Sequence, residues 1–219
     1  LDNKKIKLIP FYRRKISIPL GRMFKLCKFR QIIRIPPHRF GEDVVKYLER
    51  KIGEMFINKV ILNYGLCVCV HSIEEIGDSI TLPGDGGAHT EVTWNMVVFH
   101  PNIGEVLKGE ISKCDSTGVS VTMTFFEDIF IPREYLPQPS KFLQNEQIWS
   151  WQYEVDDGFA ELFLEPGSKV RFRVIDEVFK DIPTQVSDDS QENTNQKCYE
   201  IYGAMNDTGL GCISWWNAS

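Results

Sequence analysis

No stretch of the 219-residue chain approaches the roughly 18 consecutive apolar residues of a transmembrane helix, so none is expected. No apolar h-region of a secretion signal is present either. None of the six cysteines (Cys27, Cys67, Cys69, Cys114, Cys198, Cys212) falls in a CxxC pair, and the four histidines (His38, His71, His89, His100) are scattered. Zinc spacings are therefore missing, and the default expectation is reduced, mostly buried thiols. Cys67 and Cys69, two apart on a strand-like stretch, are expected to share a face. Asp156-Asp157-Gly158 and Asp188-Asp189 read as acidic turns, and neither matches a metal loop such as DxDxDG. No histidine lies in a local Cys or Ser nucleophile context, although a triad assembled only in three dimensions leaves no such trace. The expectation is a protein with no catalytic residue, no metal ligand and no cofactor.

A phosphate loop is also missing, in spite of the glycines. "LPGDGGAHTEV", residues 82–92, has Gly84, Gly86 and Gly87 close together. A phosphate cradle needs a helix N-terminus behind it, and usually a lysine and a Ser/Thr at fixed spacing. Here Val92, Trp94 and Met96 alternate with Thr93, Asn95 and Val97, which is the period of a strand. No Lys-Ser or Lys-Thr follows, and "GDGG" fails the GxGxxG spacing. The plain reading is a loop between two strands, with glycine supplying positive φ.

What is present fits a folded chain of one or two domains: 42% hydrophobic and 12% aromatic residues, enough for a real core at this length. The net charge of −5 is uneven. Residues 1–22 hold seven Lys/Arg and one acid, a net +6, which leaves −11 on the rest. A basic arm suits an anionic partner or an organelle address, but Pro10 and Pro19 interrupt any helix. The first methionine, Met23, coincides with the first clear strand, so residues 1–22 are expected to be a disordered or non-native extension.

From Met23 the periodicities predict an α+β protein. "MFKLCKFRQIIRIPP" is strand-like and ends at Pro36-Pro37. "GEDVVKYLERKIGEMF" carries Val44, Leu48, Ile52 and Phe56 at four-residue steps, flanked by Val45 and Met55, as one helical stripe. A long strand follows over "KVILNYGLCVCVHSIEEI", with Gly65 marking a bulge or a close backbone approach. A short strand near "SITL", the glycine loop and the "EVTWNMVVF" strand complete a βαβββ unit, residues 23–101. Residues 102–219 read as many short strands with turn signals, the pattern of a barrel. They are interrupted by a polar, acidic segment at 183–197 that is expected to be a disordered loop.

Three features of the second half suit nucleic acid. Lys169, Arg171 and Arg173 share one face of a strand whose other face is Val170, Phe172 and Val174; three cations in a row fit a phosphate backbone, or equally a solvated strand face. Trp149, Trp151 and Tyr153 also share a face, either to stack bases or to fill the core or cover a partner. Phe125 and Phe126 must point to opposite faces, so one is a candidate for stacking or for plugging the barrel end. Lys113 is a further candidate cation.

The two units and the words "RIPP" (34–37), "NYGLCVCV" (63–70), "LPGDGGAHT" (82–90), "VVFHP" (97–101), "FFEDIFIP" (125–132), "VRFRVIDE" (170–177) and "GLGCISWW" (209–216) resemble the larger stalk subunit of cellular RNA polymerases, in the form found in RNA polymerase III. The resemblance spans nearly all of Met23 to Trp216. It implies a tip domain that plugs into the polymerase core and an OB-fold barrel near emerging RNA. It also implies a smaller helical stalk subunit as obligate partner in a heterodimer, a nuclear location, and a part in initiating transfer RNA and 5S ribosomal RNA synthesis, with no membrane involved and catalysis left to other subunits. On this reading the glycine loop docks on the core. The candidate docking residues are Pro36, Pro37, Leu82, Pro83, Gly84, Asp85, Gly86, Gly87 and His89, on a flexible backbone poor in side chains. The candidate RNA contacts are Lys113, Phe125, Phe126, Lys169, Arg171 and Arg173. The competing reading is a free OB-fold RNA-binding protein, a translation or processing factor; such a protein has no need of a βαβββ unit with a docking loop.

Overall fold

The computed structural model describes residues 18–19, 23–155, 158–180 and 198–216. The expected acidic loop at 183–197 and most of the expected 1–22 extension lie outside the described residues, as does the Asp156-Asp157 pair. The chain divides into two compact units, one through His100 and one from Pro101.

The first unit is a sheet with one helix. Strands β1 (Ile18–Pro19), β2 (Phe24–Ile35), β3 (Val60–Ile61), β4 (Gly65–Thr81) and β5 (Ala88–Phe99) lie in the order β1-β2-β5-β4-β3, and helix α1 (Val44–Phe56) follows β2. β5 is central because it alternates cleanly: Val92, Trp94, Met96 and Val98 are all fully buried. They pack with Phe29 and Ile33 of β2 and with Tyr47, Leu48, Ile52 and Phe56 of the helix. Asp43 caps the helix, its carboxylate accepting from the Val45 amide at 3.0 Å. The helical stripe differs from expectation at its start, since Val44 and Val45 are exposed and Tyr47 is buried instead. Four-residue steps drift by about 40° per step on a helix of 3.6 residues per turn, so Val44 sits about 120° around from Phe56.

Two expectations for β4 are corrected. "SITL" is no separate strand, because β4 runs unbroken to Thr81. Cys67 and Cys69 do not share a face. Cys67 is buried and Cys69 exposed, because the ladder with β5 slips repeatedly, between Cys67/Cys69, Val70/Ser72, Ile73/Glu75 and Ile76/Ser79. Each of the first three slips sets three residues of β4 against two of β5, and the last sets four against three. Cys67, Val70, Ile73 and Ile76 therefore stand opposite Val98, Met96, Trp94 and Val92, and the inward side of β4 repeats every third residue from Cys67 to Ile73, while Ile76 is exposed. Gly65 lies outside these bulges. With φ of +110°, a Cβ there would come within 2.2 Å of the Phe99 carbonyl oxygen, so Gly65 marks a close backbone approach.

The second unit is all strand apart from short 3-10 turns. It contains β6 (Val106–Asp115), β7 (Gly118–Met123), β8 (Phe126–Pro132), β9 (Ser140–Leu143), β10 (Ile148–Val155), β11 (Gly158–Leu164), β12 (Lys169–Phe179), β13 (Tyr199–Ala204) and β14 (Gly211–Cys212). The order β13-β8-β7-β6-β12, with a further pairing of β13 to β12, closes five strands into a barrel. Only the β8–β13 pair in that ring is parallel. This is a closed barrel of the OB kind. Its interior is filled by Leu107, Ile111, Val119, Val121, Ile129, Ile131, Val170, Phe172, Val174 and Ile201, all buried. β9, β10 and β11 form a separate sheet inserted between β8 and β12.

Candidate docking loop and nucleic-acid interface

Residues 82–87 join β4 to β5 at one end of the first sheet, and the structure brings the RIPP segment to the same place. In the β2–β5 ladder Arg34 pairs with His89 and Ile35 with Ala88. Both Arg34 and His89 reach the Asp85 carboxylate. Arg34 donates from Nε at 2.8 Å to Oδ2 and also from Nη2 to Oδ1. His89 Nε2 lies 2.9 Å from Oδ2, and the Gly87 amide donates to Oδ1 at 3.2 Å. The Arg34 guanidinium, then His89 and the Gly87 amide, hold the Asp85 carboxyl well below the usual carboxylate range.

The glycines have separate reasons. Gly84 sits at φ of +83°. A Cβ on Gly87 would stand 2.9 Å from Arg34 Nε, and one on Gly86 would stand 3.3 Å from Pro37 Cγ. Pro36 is extended and leads into the 3-10 turn Pro37–Arg39. The loop is thus organised around Asp85, which differs from the open, flexible backbone expected. The anion that the Gly87 amide and the arginine meet here is the Asp85 carboxylate of the loop itself.

Around this knot the surface is apolar. Leu82 is 49% exposed, Ile80 63% and Ile32 59%, and Pro83 is exposed. Ile80 is the cross-strand neighbour of His89 on β4. Ile32 lies on the outward side of β2 with Lys28, Arg30 and Arg34. Sequence reading missed both. For Ile32 a signal existed: it breaks the run of cations on the polar side of an alternating strand. For Ile80 the three-for-two register hid the side it faces.

On the barrel, Val170, Phe172 and Val174 are fully buried, so Lys169, Arg171 and Arg173 face outward as the alternation requires. Their situations differ. Arg173 is paired with Asp207 at 2.9 Å. Lys169 stands across from Glu110, and Arg171 across from Lys108 on β6. Arg171 Nε is buried without a hydrogen-bond partner, and among the described residues neither it nor Lys108 has an acidic side chain at ion-pair distance. Two like charges on facing strands are mutually unfavourable. Lys108 was missed because only the folded register sets it beside Arg171. Lys113 is exposed. Phe125 is 39% exposed, whereas Phe126 is buried against Tyr199, ring centres 5.4 Å apart. Phe126 is a core side chain as described, so Phe125 is the ring that faces solvent.

The aromatic face of β10 is graded. Trp149 is buried and donates from Nε1 to the Asp115 carbonyl at 3.0 Å. Trp151 packs between Tyr153 and Trp215 at 5.1 and 5.2 Å, and Tyr153 faces out. Among the described residues no group of three His, Cys, Asp or Glu side chains is placed to hold a metal ion.

Residues 105–216 match the family model of RNA polymerase III subunit Rpc25. Residues 30–86 match that of the SHS2 domain found in the N terminus of Rpb7p and Rpc25p. The chain is 40% identical over 204 residues to the DNA-directed RNA polymerase III subunit RPC8 of Bos taurus, covering 90% of this chain and 100% of the relative. It is 34% identical to the Schizosaccharomyces pombe protein of the same name, covering 89% and 100%. Against the DNA-directed RNA polymerase subunit Rpo7 of Saccharolobus solfataricus the identity is 30%, over 70% of this chain and 82% of the relative.

Proposed function

The chain belongs to the family of RNA polymerase III subunit Rpc25, and from that premise we propose that it is a non-catalytic stalk subunit of RNA polymerase III whose first unit docks on the polymerase core through the 82–87 loop. A smaller helical subunit completes the stalk as a heterodimer. The barrel lies by the emerging transcript and assists initiation of transfer RNA and 5S ribosomal RNA synthesis in the nucleus.

The observation that carries the docking reading is the meeting of RIPP and LPGDGGAHT at Asp85. Two segments some fifty residues apart build one end of the sheet, and around it Leu82, Pro83, Ile80 and Ile32 stand in solvent. Exposed aliphatic side chains on an otherwise polar sheet face mark a surface that is covered in use. Leu82→Asp tests this, since Leu82 is exposed and a charge there leaves the core alone. Ala88 is a worse choice because it packs against the core cluster. The variant is expected to fold and to lose association with the catalytic polymerase chains in co-purification. Undiminished association would place docking elsewhere.

For RNA the reading rests on Arg171 and Lys108, two cations left facing each other, with Lys169 on the same face of β12; Lys113 and Phe125 remain further candidates exposed on the same unit. Their chemistry is that of backbone contact, with no base-reading constellation to give sequence specificity.

A further inference from the structure

The docking surface depends on how the glycine loop is held, and the loop holds itself through one side chain. The donors to Asp85 come from three places: the end of β2, the start of β5, and the loop backbone. Arg34 and His89 are adjacent partners in an unbroken antiparallel ladder, so their positions are set by the sheet and not by the loop. Gly87 allows the Arg34 side chain to come closer than a Cβ would tolerate without a shift, and Gly86 leaves Pro37 room that a Cβ would crowd. The Asp85 amide in turn donates to the Leu82 carbonyl at 3.1 Å, which couples the carboxylate to the turn that presents Leu82 and Pro83. Asp85 is also the only formal charge in residues 82–87, and Arg34 matches it.

We propose that Asp85 is a positioning residue that locks the 82–87 loop onto β2 in one conformation, so that the loop meets its partner preformed and charge-neutral rather than ordering on contact. This rests on the reading of the loop as the docking element and adds to it a cause and a kind of partner. The complementary surface is an apolar pocket of another polypeptide with no matching charge, and loop docking is correspondingly insensitive to salt. A preformed loop keeps the binding-competent fraction near one; an unlocked loop multiplies the apparent affinity by the fraction still in the bound shape. The loss falls on the association rate, because the contacts made once bound are unchanged.

The test uses the full chain, with Asp85→Asn, Arg34→Gln and the double variant. Amide hydrogen exchange in the free protein reads the lock directly. In Asp85→Asn the amides of residues 85 and 87, which donate to the Leu82 carbonyl and to the Asp85 side chain in the wild type, are expected to exchange about tenfold faster or more, while those of Val92–Val98 and of the barrel keep their rates. Arg34→Gln should do the same, and the double variant should add little, because both break one linkage. The association rate of Asp85→Asn with polymerase III lacking this subunit should fall in proportion to the fraction of loops still in the bound shape, with dissociation unaltered. Wild-type exchange at residues 85 and 87 in Asp85→Asn, or effects of the two single changes that simply multiply, would overturn the lock. The docking reading fails separately: if Leu82→Asp associates normally while Asp85→Asn still loosens the loop, the lock stands and the loop docks nothing.

Discussion

At the scale of single residues, Asp85 decides most. A carboxylate bound to a guanidinium, a histidine and an amide is stabilised in its charged form, so its folded pKa lies below its unfolded one. The sign follows from that order. Its stabilising contribution is fully present above the ordinary carboxylate pKa of about 4 and is lost only as pH falls through the lower folded value. In an NMR titration the Asp85 carboxyl carbon is therefore expected to hold its ionised shift through pH 4, where exposed aspartates are about half protonated. A midpoint at the ordinary value would mean that the knot with Arg34 does not form in solution. The same residue-level reading separates Arg171 from Arg173. Both look alike in the sequence, but one faces another cation and the other is held by Asp207.

At the scale of elements, β4 is the least ordinary. Its three-for-two ladder against β5 turns Cys69 outward and leaves Cys67 in the core. Burial pushes the Cys67 thiol up to about 12, and those of Cys114 and Cys212 to about 11, so almost no thiolate exists on them near pH 8. A water-soluble disulfide reagent at that pH is expected to modify Cys69 and Cys198 rapidly and to reach Cys67, Cys114 and Cys212 only on unfolding. Equal reactivity of Cys67 and Cys69 would contradict the slipped register.

This strand also shows where the sequence was legible and where it was not. β5 could be read from Val92, Trp94, Met96 and Val98 because a strand with one buried side must alternate. The helix could be read from Leu48, Ile52 and Phe56, and the outward cations of β12 from the buried Val170, Phe172 and Val174 between them. β4 defeats that logic, since its inward residues recur at three and its bulges are set by the register against β5, which no pattern within β4 itself records. Lys108 and Arg34 escaped notice for the same reason: what they face is set by register, which no local pattern records. The glycine loop was placed correctly between two strands. Its order was missed because it depends on Arg34, fifty-one positions before Asp85.

At the scale of the whole molecule, charge argues for assembly first and nucleic acid second. The chain is net −5, and residues beyond the first 22 carry −11, which is unfavourable for tight, long-range attraction to RNA. Any RNA contact proposed for the barrel is then expected to be local and weak, through a few cations. Replacing Lys108 and Arg171 with glutamate is expected to lower RNA affinity and to flatten its logarithmic dependence on salt by roughly 1.5–2, the loss of about two phosphate contacts. Replacing Arg173 alone should do less, as its charge is already met by Asp207. An unchanged salt slope in the double variant would move the RNA path to another surface.

The central claim is that this chain works as part of a polymerase. The measurement that tests it most directly is the native size and composition of the tagged chain in a cell extract, by gel filtration with mass spectrometry of the co-eluting chains. The account predicts a particle of many subunits that contains the catalytic chains of RNA polymerase III and a small helical partner. Elution near the 25.3 kDa of the lone chain, or with RNA and no polymerase chains, would contradict it.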